Sequence, residues 1–234
     1  MTRAPCIVEV AGLAGSGKTT LSSLLCREQA FQAGARLEAR SFRNLLYVVV
    51  RGLHLFPTVL HLFRPSRWLT LEEIKKIVYL EVWHRALTRQ GNDSNAVIVV
   101  DQGPVFNLAT LYGFGPGWLR GKHYEKWWNR LFDQWSEVLH TVVFLEASTD
   151  VLVERIKSRQ KQHVIKESPE HEMREFLSRY LDAYEHVLSR LTARRHLEVV
   201  RIDSGRDSVR AVASRISDTL CTEFAQSRNS FPEP

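Results

Sequence analysis

The sequence predicts an α/β fold in three layers, a five-stranded parallel sheet with helices on both faces. Five short runs carry the strand signal: Cys6–Val10, Arg36–Arg40, Ala96–Val100, Thr141–Leu145 and Leu197–Ile202. All but the weaker Arg36–Arg40 are nearly continuous in apolar and β-branched residues, the pattern of strands buried on both faces. Longer stretches with helical spacing alternate with them. No internal repeat, low-complexity tract or Pro/Gly/Ser linker interrupts the 234 residues, which read as one domain.

Taken in order, Cys6–Val10 runs into a glycine-rich turn, and a helix is expected from Lys18 to about Gln32. Leu71–Gln90 places Leu71, Ile74, Ile77, Val78, Leu80 and Val82 at helical spacing behind Thr70, a suitable N-cap. Ala96–Val100 ends at Asp101, and Thr141–Leu145 closes on Glu146. A helix over Asp150–Arg159 follows. Ser168-Pro169 predicts an N-cap with proline at the first helical position, opening a helix to about Leu191. Asp207–Phe224 reads as the last helix. In such sheets ligands bind beyond the carboxyl ends of the strands. The loops after Val10, Arg40, Val100, Leu145 and Ile202 are therefore the places to look for chemistry.

Composition excludes several classes. Apolar residues at 44% and charged residues at 25% are those of a globular protein, neither disordered nor fibrous. Three cysteines, Cys6, Cys26 and Cys221, are too few and too scattered for a disulfide framework or a zinc module, which points to a reducing, cytoplasmic setting. Met1–Cys6 lacks signal-peptide architecture. Leu45–Phe63 is the most membrane-like segment. It holds Arg51 near its centre, which costs about 2.5–3.5 kcal/mol in a bilayer, so a helix pair broken at Pro57 is expected instead of a span. The net charge of +6 favours an anionic partner: nucleic acid, acidic lipid or a phosphorylated small molecule.

The sharpest motif follows the first strand, Gly12-Leu13-Ala14-Gly15-Ser16-Gly17-Lys18-Thr19-Thr20. It fits G-x-x-x-x-G-K-[ST] with a strand before and a helix after. Its glycines let the backbone N–H groups of the turn, from Gly12 through Ala14, Gly15, Ser16 and Gly17, wrap a phosphate chain. The helix N-terminus beginning at Lys18, Thr19 and Thr20 adds partial positive charge. Lys18 is expected at the β- and γ-phosphates of a nucleotide, and the Thr19 hydroxyl at Mg2+. The plainer alternative is a glycine-rich turn with an incidental lysine. Asp101, at the end of the third strand, is the expected acidic partner, binding Mg2+ or taking a proton from an attacking hydroxyl. A strand-ending aspartate also serves as a helix cap or turn residue.

A guanine-reading Asn-Lys-x-Asp run is absent. The second half carries a basic segment instead: Val151–Lys166 holds five Lys or Arg and one Glu, or +4 of the chain's +6. Arg155 and Arg159 lie on one helical face. The alternative is a solvated basic helix end.

With these residues in place, the chain resembles the thymidylate/adenylate kinase type of P-loop nucleoside and nucleotide kinase. The Gly-rich Lys18-Thr19 loop, the strand-end Asp101, the Glu154-Arg155-Ile156 helix and the closing Ile202-Asp203-Ser204-Gly205 carry the resemblance. It covers roughly Ile7 to Phe224. It implies a P-loop kinase fold with a mobile lid over about 155–168 and acceptor-covering regions over about 42–90 and 103–137. It also implies ATP as donor with Mg2+. Arg155 would lie against adenine and Arg159 would neutralise the migrating phosphoryl group, with Gly205 and Arg206 bracketing the adenine from its other side. Lys18, Asp101, Arg155 and Arg159 are the implied catalytic set.

The acceptor side departs from that pattern. Asp101 is followed by Gln102 where thymidylate kinases usually have arginine, and Ser41-Phe42-Arg43 replaces their proline-glycine motif. Arg40, Arg43, Arg85 and Gln102 stand as acceptor-binding candidates, the arginines alternatively as plain surface residues. Trp118, Trp127, Trp128 and Trp135 are either core or a wall against a ring or sugar. The acceptor is open between a nucleoside or nucleotide and another metabolite. No nucleic-acid partner is expected, and a homodimer is left open. The competing class is a nucleotide-dependent nucleic-acid-binding protein or a regulatory ATPase without a small-molecule acceptor.

Overall fold

A computed structural model describes residues 6–34, 67–93, 96–159, 164–194, 197–206 and 208–229. Five strands form one sheet: β1 (Ile7–Gly12), β2 (Phe31–Ala33), β3 (Val97–Asp101), β4 (Thr141–Glu146) and β5 (Glu198–Asp203). All neighbours pair in parallel, in the order β2-β3-β1-β4-β5. β1 is thus central, and its register aligns Val10 with Asp101 on one side and Gly12 with Leu145 on the other. Of the strand ends that the sequence singles out, those at Val10, Val100, Leu145 and Ile202 meet along one edge.

Seven helices are described: α1 (Lys18–Leu25), α2 (Leu71–Asp93), α3 (Pro104–Phe114), α4 (Glu125–Val138), α5 (Thr149–Ser158), α6 (Glu170–Thr192) and α7 (Val209–Asn229). Two cores sandwich the sheet. Val8, Val10 and Val143 turn toward Leu21 and Leu25 of α1 and Val212, Ile216 and Leu220 of α7. On the opposite face Ile7, Ala11, Ile98 and Val100 pack with buried side chains of α2 through α6. Period-2 alternation within strands buried on both sides accounts for this division.

Local chemistry explains the helix boundaries. Thr70 does cap α2: its Oγ1 accepts from the Glu73 N–H at 3.2 Å, while Glu73 Oε2 accepts from the Thr70 N–H at 2.8 Å. This is a reciprocal capping box. Arg67 grips the same carboxylate through both terminal nitrogens, and the arginine holds Glu73 well below the carboxylate range, at about 2. Ser148 caps α5 by accepting from Val151 N–H.

Two expectations are corrected, and one strand is added. The helix after the glycine-rich turn ends at Leu25, not near Gln32, because Arg27 and Glu28 tighten into i−3 hydrogen bonds. The strand beside β3 is Phe31–Ala33, locked by Val97 N–H to Ala30 O and Gly34 N–H to Val99 O, each 2.8 Å. The expected strand Arg36–Arg40 lies outside the described residues. Ser168 does not cap α6; Pro169 holds that place in extended conformation and the helix starts at Glu170.

The tryptophan question resolves toward core packing. Trp127, Trp128 and Trp135 are buried along α4. Each indole N–H finds an acceptor: Glu81 Oε1, Leu119 O and Leu80 O, at 2.8, 2.8 and 3.1 Å. Trp118 is half-buried and donates to Arg67 O. Among the described residues no helix is long and apolar enough to cross a membrane, and Leu45–Phe63 lies outside them.

Candidate active site

The turn from β1 to α1 owes its shape to glycine. Gly12, Gly15 and Gly17 adopt φ of 139°, 85° and 95°, in the region that L side chains avoid. At Gly12 a Cβ would also sit 2.4 Å from Leu145 O, so the loop is wedged against the end of β4. Ser16 lies buried in this loop, and its Oγ has no hydrogen-bond partner among the described residues. Thr19 and Thr20 are exposed at the start of α1.

Lys18 is half-buried under the loop, and its Nζ donates to Leu13 O at 2.8 Å. Burial pushes its ammonium down to about 8; the Asp101 carboxylate opposes this and the Arg159 guanidinium reinforces it. The lysine, the strand-end aspartate and the basic helix thus share one electrostatic neighbourhood. Asp101 Oδ1 is buried without a partner among the described residues. It caps no helix, since the N-cap of α3 is Gly103. The turn that follows is unusual: Gln102 has φ 56°, the one non-glycine residue with positive φ among those described.

Arg155 folds back from α5 instead of pointing to solvent. Its Nη2 donates to Ser204 O at 2.8 Å, and its Nη1 to Ser204 Oγ at 3.3 Å and Gly15 O at 3.4 Å. It therefore ties the glycine-rich loop to the turn after β5. Gly205 N–H donates to Asp203 Oδ1 at 2.8 Å, and Arg206 pairs with Asp203. Arg159 is exposed at the C-terminal end of α5, where its carbonyl accepts from Lys166.

The acceptor-side candidates are less gathered. Arg40 and Arg43 lie outside the described residues. Arg85 is exposed on α2, next to His84, whose ring bonds Gln134 of α4. Gln102 is exposed beside Asp101. The structure adds residues that the sequence reading missed. Lys76 stands 5.0 Å over the Phe106 ring, and burial lowers its pKa against the raising effect of Glu72. Phe106 stacks on Tyr180 at 6.4 Å, and Tyr180 shares a 3.0 Å hydrogen bond with Thr110. Tyr79 and Tyr184 have phenols raised by burial, with the Glu9 carboxyl adding to both. Glu9 itself, fully buried in β1, was the visible signal: a charge inside an otherwise apolar strand.

The donor set suits a metal-bound polyphosphate. Among the described residues Ser16 Oγ and Asp101 Oδ1 are buried polar atoms without a partner, and such atoms are otherwise nearly always satisfied. Lys18 supplies a testable consequence. In the free site its ammonium loses its proton near pH 8, and a bound polyphosphate favours the charged form. Affinity for a polyphosphate is therefore expected to be full below that pH and to fall above it, by about tenfold between pH 7 and pH 9. Titration calorimetry across that range checks this; an equal slope in Lys18→Met would assign the effect elsewhere.

No protein-family model matches the chain, and no curated protein matches it. Solved structures do. A deoxyadenosine kinase from M. mycoides with bound dATP superposes with a TM-score of 0.53 at 14% identity, over 92% of this chain and all of that one. The same enzyme with dCMP and dCDP gives 0.54 at 13% identity, over 92% and 99%. A thymidylate kinase from Candida albicans gives 0.52 at 16% identity, over 94% and 92%. At such identities the likeness is one of fold. The chain has the fold of the P-loop kinases, with its parallel five-stranded sheet and the glycine-rich turn at the end of the central strand.

Proposed function

We propose that this chain is an ATP-dependent phosphotransferase that moves the γ-phosphoryl of ATP to a hydroxyl or phosphate of a small-molecule acceptor. One observation carries the reading. The positive-φ glycine cradle, the Lys18 ammonium and a strand-end carboxylate with an unpartnered buried oxygen converge at one edge of the sheet. Phosphoryl transfer asks for this combination, because its transition state spreads charge over three oxygens and catalysis is largely positioning and charge stabilisation. The kinases that share the fold support the same class of chemistry.

In this reading the backbone from Gly12 to Thr20 cradles the phosphates, and Lys18 spans the two terminal ones. Thr19 and Asp101 hold Mg2+, which when bound draws charge from the phosphate oxygens. Arg155 lies against the adenine, with Gly205 and Arg206 across from it, and its bonds to Gly15 and Ser204 pre-set that position. Arg159 reaches the migrating group from the end of α5, and residues 155–168 act as the lid. The acceptor enters on the side of Gln102, Lys76 and Phe106. Arg40, Arg43 and Arg85 are retained as further acceptor contacts.

Arg155→Ala is expected to weaken ATP binding about tenfold, through loss of the cation over the ring and of the tie to the loop. Calorimetric titration of the variant reads this directly, and an unchanged Kd would remove Arg155 from the adenine site. The function itself is tested by incubating the protein with γ-labelled ATP and nucleosides, nucleoside monophosphates, sugars and amino or polyprenyl alcohols. Label is expected in one acceptor class. Label in none of them, with ATP consumed at the same rate throughout, would favour an ATPase.

A further inference from the structure

Glu9 is the most buried charge-bearing side chain of the central strand, with no exposed surface, yet it lies between Ile7 and Ala11 on the apolar face of the sheet. Burial raises its pKa to about 8 against the lowering pull of backbone N–H groups, and a carboxyl group is tolerated there only if its oxygens are bonded. Both are. Oε2 accepts from the Val105 N–H at 2.8 Å and Oε1 from the Phe106 N–H at 3.0 Å. These are free donors of the first turn of α3, which begins at Pro104 and has no side-chain cap of its own. A strand 96 and 97 residues away in sequence thus caps the helix.

The cap sits directly behind the Asp101 turn. A Cβ on Gly103 would come within 2.7 Å of the Glu9 carboxyl carbon and Oε2, so glycine is required for this approach. Asn107 fixes the same turn from the other side, its Nδ2 donating to Gly103 O at 2.8 Å and Gln102 O at 3.2 Å. Gln102 is held at φ 56° between these two anchors. A residue other than glycine rarely takes that conformation unless its surroundings impose it. The backbone from Asp101 to Phe106 is therefore clamped to β1 by one buried carboxyl group.

We infer that Glu9 is a positioning residue for phosphoryl transfer, a strut that fixes the Asp101-Gln102-Gly103 turn against the central strand and so aims Asp101 into the phosphate cradle. The inference rests on the transfer reaction proposed above. Glu9 reaches neither ATP nor acceptor in this role. It acts through Asp101 and Gln102, and a displacement of about 1 Å at such a centre costs on the order of 10²-fold in rate.

The test compares Glu9→Gln with the unaltered protein. The amide keeps the volume but sets an N–H2 against one of the two helix N–H donors, breaking one bond of the cap. The expected result is kcat lowered about 10- to 100-fold with KM for ATP within about twofold. Backbone amides of residues 101–106 should exchange faster while those of the glycine-rich loop do not. Gly103→Ala, which drives a Cβ into the carboxylate, should give the same split. A kcat within twofold of the unaltered protein despite faster exchange at 101–106 would overturn the inference. So would loss of ATP affinity and general loosening of the amides, the signs of a purely structural role. If the unaltered protein transfers phosphoryl to no acceptor, the proposed function fails. The strut is then judged by exchange alone: unchanged protection at 101–106 in Glu9→Gln refutes it, and selective loss there supports it.

Discussion

Lys18→Ala is expected to lower phosphoryl transfer on the order of 10³-fold while leaving the fold intact. The proposed role places a full positive charge on the transferring phosphate in a partly dry site, where such charges act most strongly. The structural cost of removal is small. Among the described residues Lys18 makes one side-chain hydrogen bond, to Leu13 O, and its burial already disfavours the ammonium. Circular dichroism and the melting temperature of the variant should therefore match those of the unaltered protein. Turnover within tenfold of the original, with ATP saturating, would contradict the site assignment.

Trp135→Ala carries the largest expected effect on stability. The indole is fully buried in α4, edge-on to Trp83 and His84 of α2, and its N–H bonds Leu80 O. Truncation leaves a cavity at the joint of two helices and removes one of two side-chain donors to Leu80 O, Gln134 Nε2 being the other, costing about 3–5 kcal/mol. A domain of this size would melt about 6–20 °C lower. Trp118→Ala, at a half-buried position, should shift far less. A change below about 2 °C at Trp135 would show that the aromatic joint of α2 and α4 does not hold this face of the sheet.

Residues whose partners are near in sequence were legible in it; those whose partners are distant were not. The cradle could be read because a strand, three glycines and a lysine fall within a dozen positions, and the structure gives those glycines the φ values the motif requires. The Thr70 cap was equally local. β2 is not legible in the sequence because it has three residues, two of them exposed, and no apolar run marks it. α3 and α4 are crowded with apolar and aromatic side chains, so their boundaries were hidden among residues that pack in several directions. Glu9 went unread because its meaning depends on the N–H groups of Val105 and Phe106. The surplus positive charge was ambiguous as a sum; placing Arg155 against Gly15 and Ser204, and the Arg159 charge beside Lys18, gives part of it a local purpose.

The central claim is that ATP gives up its terminal phosphoryl to an acceptor molecule at the edge where Lys18 and Asp101 meet. Phosphorus NMR of ATP, Mg2+ and the protein, with and without the acceptor class found by labelling, follows that phosphoryl directly. The γ resonance should fade only when acceptor is present, and a new phosphomonoester or diphosphate resonance should grow in its place. Release of inorganic phosphate at the same rate with and without acceptor would contradict the account.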